Sequence, residues 1–107
     1  MLSLTPQDIQ NAITIGNGAF RRVLLSGTLN LPNLTGTLGS NSFYNTGISS
    51  ISSLGTITEI GERVFAFTNI SSITIPNSVK KCVCNFVSDT AVPEIIFPEG
   101  VEEVSGA

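Results

Sequence analysis

The chain contains no histidine and no tryptophan, a single methionine and a single tyrosine. Without histidine it lacks the commonest general base and the commonest metal ligand. It has two cysteines, Cys82 and Cys84, in a C-x-C arrangement. Two are too few for a disulfide-stapled scaffold. Zinc wants four nitrogen or sulfur ligands, and no set of that size is present. No metal and no cofactor are expected.

Charge is also scarce. Charged residues make up 12% of the chain, about half of the roughly 25% usual in globular domains. The five basic residues are Arg21, Arg22, Arg63, Lys80 and Lys81, against eight acidic ones, for a net charge of −3. Two short basic pairs do not make the clustered patch that nucleic acid requires, so no nucleic-acid partner is expected. No apolar run approaches the length needed to cross a bilayer, so no membrane insertion is expected. The opening residues MLSLTPQDIQ lack a basic region followed by an apolar stretch, so they do not read as a signal peptide. A surface needing so little charge must be covered by Ser, Thr, Asn and Gly, a composition that points to strands and turns.

What the sequence does have is a period. Offset by 22 residues, it falls onto itself: Ile48, Ile70 and Val92 align, as do Ile51, Ile73 and Ile95. Leu38, Ile60, Cys82 and Val104 form a third series, and Phe43, Phe65 and Val87 a fourth. The first repeat fits with one extra residue, so that Ile15, Gly16, Ala19 and Phe20 precede Leu38, Gly39, Ser42 and Phe43. A one-residue insertion in a turn costs little entropy.

Each repeat reads as an alternating strand, a turn and a second apolar segment ending in a corner. In Ile73-Thr74-Ile75 the isoleucines face one side and the threonine the other. Pro32, Pro76 and Pro98 end that strand, having no N–H to donate. Gly16, Gly39 and Gly61 are expected to allow a tight bend at the corner. One such unit cannot bury its apolar side alone, so the fold should exist only as a stacked array.

The expected architecture is mostly β: a solenoid of about four repeats of 22–23 residues over 13–107, with short parallel strands. Residues 1–12 read two ways. Pro6 can open a short helical cap carrying Ile9, Ala12 and Ile13 on one face, or Leu2-Ser3-Leu4-Thr5-Pro6 is the strand of a degenerate leading repeat. Cys82 is expected to serve as a small core residue between Ile60 and Val104. Glu102-Glu103 lies one repeat beyond Lys80-Lys81, which suggests opposite charges stacked on a solvated face. Terminal repeats carry a polar capping face as a rule, and none is visible after Val104, so the expectation is either a homodimer through the C-terminal repeat or a further downstream repeat that covers that surface.

The segments I-G-N-G-A-F (15–20), I-G-E-R-V-F (60–65) and I-T-I-P-N-S-V (73–79) resemble the BspA-type leucine-rich repeats across residues 13–104. Departures are Ser53-Leu54 where Ile-Pro stands in the family pattern, no cysteine after the Ala-Phe corner, and Cys82 to Val87 in place of the glycine corner. The resemblance implies a non-enzymatic binding module for a protein or glycan, adhesive in character and found at a cell surface or secreted. The alternative is a structural spacer within a larger assembly. Sheet faces of repeat proteins serve as extended binding surfaces. The outward strand residues Asn30, Ser52, Thr74 and Ile96, flanked by Ser50, Ser72 and Glu94, are therefore the candidate ligand face. No catalytic residue is expected.

Overall fold

The structure, a computed structural model, describes residues 4–105, and of Cys84 the backbone alone. Six short strands carry the fold: β1 (Ser26–Asn30), β2 (Thr35–Leu38), β3 (Gly47–Ser53), β4 (Thr56–Ile60), β5 (Lys81–Val83) and β6 (Glu103–Ser105). Every pairing is parallel. β1 and β3 form one sheet, while β2, β4, β5 and β6 stack in that order into a second. Strand and partner come from successive turns, so each turn adds one rung and the chain winds as a parallel β-solenoid of about four turns.

The second apolar segment of each repeat therefore builds the continuous sheet. Leu38 pairs with Ile60, Ile60 with Cys82 and Cys82 with Val104, and an isolated bridge adds Ile15 ahead of Leu38. Ile15, Leu38, Ile60 and Cys82 are buried, whereas Val104 is 45% exposed. Alongside runs the register Thr37–Glu59–Lys81–Glu103, which alternates the charge of its last three members on adjacent strands.

The expected strand Ile73-Thr74-Ile75 is not one. Those residues follow the path of β3 in the next turn, with Asn69 N–H donating to Ile48 O at 2.9 Å, but make no ladder. The pairing of β1 with β3 already carries two register shifts, and Pro93 removes a donor from the following turn. The column Leu29/Ile51/Ile73/Ile95 reflects this: Leu29 is fully buried, while the three isoleucines are half-buried against the core.

Glycine at the corner also does something other than expected. Gly39 and Gly61 do not adopt positive φ. A Cβ on Gly39 would strike the backbone of Gly16 and Asn17, and one on Gly61 would lie 2.7 Å from Ser40 N. These glycines let one turn settle onto the turn before it. The fourth turn has Val83 in that place, and its corner closes instead as a 3₁₀ turn over Cys84–Val87.

Aromatic rings fill the corners. Phe20, Phe43 and Phe65 stack face to face, with centroids 5.4 Å and 5.6 Å apart. The column beside them enlarges along the stack: Ala19, Ser42, Val64, Phe86. In the fourth turn the large ring moves one residue earlier, and Phe86 is fully buried while Val87 is half-buried. The Val64-Phe65 volume is thus conserved as Phe86-Val87.

Ser42 lies in that second column with its hydroxyl fully buried and without a hydrogen-bond partner. An unmade buried hydrogen bond costs about 1–3 kcal/mol. Ser42→Ala is therefore expected to stabilise the chain by about 1 kcal/mol in urea denaturation. A loss of that size would show that the hydroxyl is satisfied in solution.

At the N-terminus, Pro6–Ile9 forms a single 3₁₀ turn with Pro6 opening it, and Thr5 N–H donates to Asp8 Oδ2 at 2.9 Å. The expected helical cap is reduced to this turn. Leu4 N–H donates to Leu24 O at 3.0 Å, which ties the segment to the first repeat. Leu2 and Ser3, part of the alternative leading strand, lie outside the described residues.

Candidate functional site

Two surfaces carry polar side chains in repeat register. The first is the face expected to hold a ligand: Asn30, Ser50 and Ser52 lie on strands β1 and β3, whereas Ser72, Thr74, Glu94 and Ile96, expected on or beside strands, follow the same path in turns that form no ladder. Ser50, Ser52, Ser72, Thr74, Glu94 and Ile96 are exposed there, and Asn30 is half-buried. Ile96 is 77% exposed, the most open large apolar side chain of the described residues. The hydroxyls of Thr28 and Ser50 are 2.6 Å apart, and Ser52 Oγ donates to Asn30 Oδ1 at 2.9 Å. These bonds hold neighbouring turns in step and fix the direction of the outward groups. Thr74 borders two shallow grooves, one of about 280 Å³ with Ser52 and Leu54, the other of about 300 Å³ with Ile96 and Phe97. The structure thus brings Ser52, Thr74 and Ile96 along one line. Asn30, Ser50, Ser72 and Glu94 border neither groove.

The second surface lies at the corners, and the sequence reading passed over it. Each corner needs residues in the left-handed region. Two columns supply them: Gly18, Asn41 and Arg63 in one, Arg22, Asn45, Phe67 and Asp89 in the other, all with φ between 52° and 65°. Threonine closes the corner one residue later. Thr46, Thr68 and Thr90 donate from Oγ1 to the carbonyls of Phe43, Phe65 and Val87 at 2.9, 2.7 and 2.6 Å.

Glycine, asparagine and aspartate tolerate this backbone, whereas other L-residues meet a steric cost of about 1–2 kcal/mol. Three of the seven positions carry the wrong kind of residue for it: Arg22, Arg63 and Phe67. All three gather around Tyr44. The Arg22 guanidinium carbon is 6.0 Å from the centre of the Tyr44 ring and that of Arg21 is 5.4 Å away. Phe67 meets the same ring edge-on at 5.4 Å. Arg63 borders, with Tyr44, Arg21, Asn17 and Asn41, a shallow groove of about 490 Å³. A larger hollow of about 650 Å³ opens on the other side of Arg22 and is lined by Asn45, Phe67 and Asn69. Arg21 and Arg63 border one groove with Tyr44 and Arg22 lies over the same ring, so three of the five basic residues of a net-negative chain lie around Tyr44.

The signal was present as Arg21-Arg22 and Arg63, yet as a basic pair and a single arginine they looked too sparse to matter. Only the corner geometry unites them.

Fold and surfaces together define a repeat scaffold: parallel turns, a core of stacked columns, and two open faces in place of one deep cleft. The family model described as the BspA type leucine rich repeat region (6 copies) matches residues 2–107. The chain belongs to the BspA-type leucine-rich repeat family. Comparison with curated proteins and with solved structures returns no match.

Proposed function

We propose that this chain is a non-catalytic interaction module that takes a protein or glycan partner along its strand face, in an adhesive role at a cell surface or in a secreted context. The observation that carries this reading is Thr74, exposed where two adjacent grooves meet, with Ser52 and Ile96 in line on either side. A surface of this form offers hydroxyls and one open apolar side chain over several turns, which suits an extended partner. Ser52 donates to an amide oxygen and not to a base, so it is not arranged as a nucleophile. Family membership supports the adhesive role and the surface location by association.

The test is binding to a printed panel of glycans and purified glycoproteins. Thr74→Arg should weaken at least one saturable interaction tenfold or more, while Thr58→Arg, exposed on the other sheet, should leave it unchanged. If every ligand found binds the two variants alike, the strand face is not the contact surface.

A further inference from the structure

We infer that the corner formed by Arg21, Arg22, Tyr44, Arg63 and Phe67 is a second binding surface, built for a short acidic peptide segment that alternates carboxylates with apolar side chains. The first ground is strain. Arg22, Arg63 and Phe67 hold left-handed backbone that Asn, Asp or Gly would hold more easily, as Gly18, Asn41, Asn45 and Asp89 do in the same two columns. Misfits of this kind persist where the side chain is wanted for something other than the fold. Arg22 comes from the first turn and Arg63 and Phe67 from the third; Arg22 and Phe67 meet the Tyr44 ring, and Arg63 borders the groove beside it.

The second ground is chemistry. Two guanidinium groups lie within about 6 Å of the Tyr44 ring, within the range of cation–π attraction. That attraction restrains two flexible side chains, so that less freedom is lost when a carboxylate takes their paired N–H donors. Phe67, next to them, leaves 48% of its surface open. An anion alone would leave that ring uncovered, whereas a peptide with an apolar side chain beside its carboxylate would cover it.

The third ground is size. Positive charge ends abruptly: Glu62 precedes Arg63, and Asp89 follows Phe67 in the left-handed column. The chain as a whole is net negative. A long polyanion such as a sulfated glycan or a nucleic acid needs basic groups along its whole track, and this surface offers three. A short segment fits the footprint. The inference rests on the reading of the chain as an interaction module, but not on the strand face.

Fluorescence anisotropy with a labelled hexapeptide alternating aspartate and leucine tests it, with a lysine–leucine hexapeptide and heparin as comparisons. Saturable binding of the acidic peptide alone is expected, and it should weaken as salt is raised. Phe67→Asn and Arg22→Asn should each weaken it at least tenfold while raising the melting temperature, because asparagine relieves the backbone. Loss of affinity in a better-folded protein cannot come from unfolding. Thr74→Ala, on the strand face, should leave peptide binding intact. Preference for heparin, or unchanged affinity in Phe67→Asn, overturns the inference. Glycan binding through Thr74 with no peptide binding would leave the proposed function standing and remove only this surface.

Discussion

Phe43→Ala is expected to lower stability by about 3–5 kcal/mol, as deletion of a buried ring does. Phe43 is fully buried and is the middle ring of the three, stacked on Phe20 at 5.4 Å and on Phe65 at 5.6 Å. Its removal opens a cavity and ends two ring contacts, each worth about 0.5–1.5 kcal/mol beyond the area buried. Domains of this size have about 5–15 kcal/mol in total, so the variant should be folded only marginally. Phe20→Ala should cost less, since Phe20 is half-buried and touches one ring of the ladder. Urea denaturation of both variants is the check. Equal losses would mean that the rings act singly and not as a column.

Gly55→Ala is the second large effect, expected to exceed about 3 kcal/mol. Gly55 has φ +62°, and a Cβ there would collide with Leu34 O and lie 2.7 Å from Leu34 N. Both atoms are backbone and cannot turn aside. Leu34 O also accepts the Thr56 N–H at 2.8 Å, so moving it breaks the contact that starts β4. Gly36 provides the control. It too has positive φ, at +72°, but a Cβ added there meets nothing within 4 Å. Gly36→Ala should therefore cost only the conformational part, about 1–2 kcal/mol. Similar losses at the two positions would show that close approach between turns is not what Gly55 provides.

The columns of the core were legible in the sequence because a period of 22 residues is sampled several times. Leu38, Ile60, Cys82 and Val104 align by counting alone, and the structure pairs them in that order. The role of the corner glycines was not legible. Sequence shows that Gly39 and Gly61 recur but not whether they supply a dihedral angle or vacate space for the preceding turn. The strand Ile73-Thr74-Ile75 was misplaced because alternation reports which side chains face inward, not whether the backbone pairs. Phe86 was missed at the fourth corner because the period points to Val87, and the exchange of ring and valine conserves volume without conserving position.

Thr46, Thr68 and Thr90 repeat at intervals of 22 and could have been found from sequence, but a buried threonine series looks no different from surface hydroxyls. The arginine–aromatic corner was the least accessible. Arg22, Tyr44, Arg63 and Phe67 belong to three different turns and to no motif, and it is the stacking of the corners that brings them side by side. The strand-face residues were legible as a class by their outward alternation, though only Ser52, Thr74 and Ile96 border a groove.

The core columns, the corner and the strand face all depend on one geometry, in which each turn pairs with the turn 21 to 23 residues further along the chain. Scalar coupling transmitted through hydrogen bonds reads that pairing directly, since it links an amide nitrogen to the carbonyl carbon that accepts from it. Couplings are expected from Phe20 to Ser42, from Phe43 to Val64, from Phe65 to Phe86 and from Lys80 back to Thr58, the pairs joined at 2.8, 3.0, 2.7 and 2.7 Å. Detection of this set establishes the parallel stack on which both proposed surfaces stand. Couplings instead between residues four apart, or across hairpins of adjacent segments, would contradict the solenoid and with it the columns, the corner and the strand face.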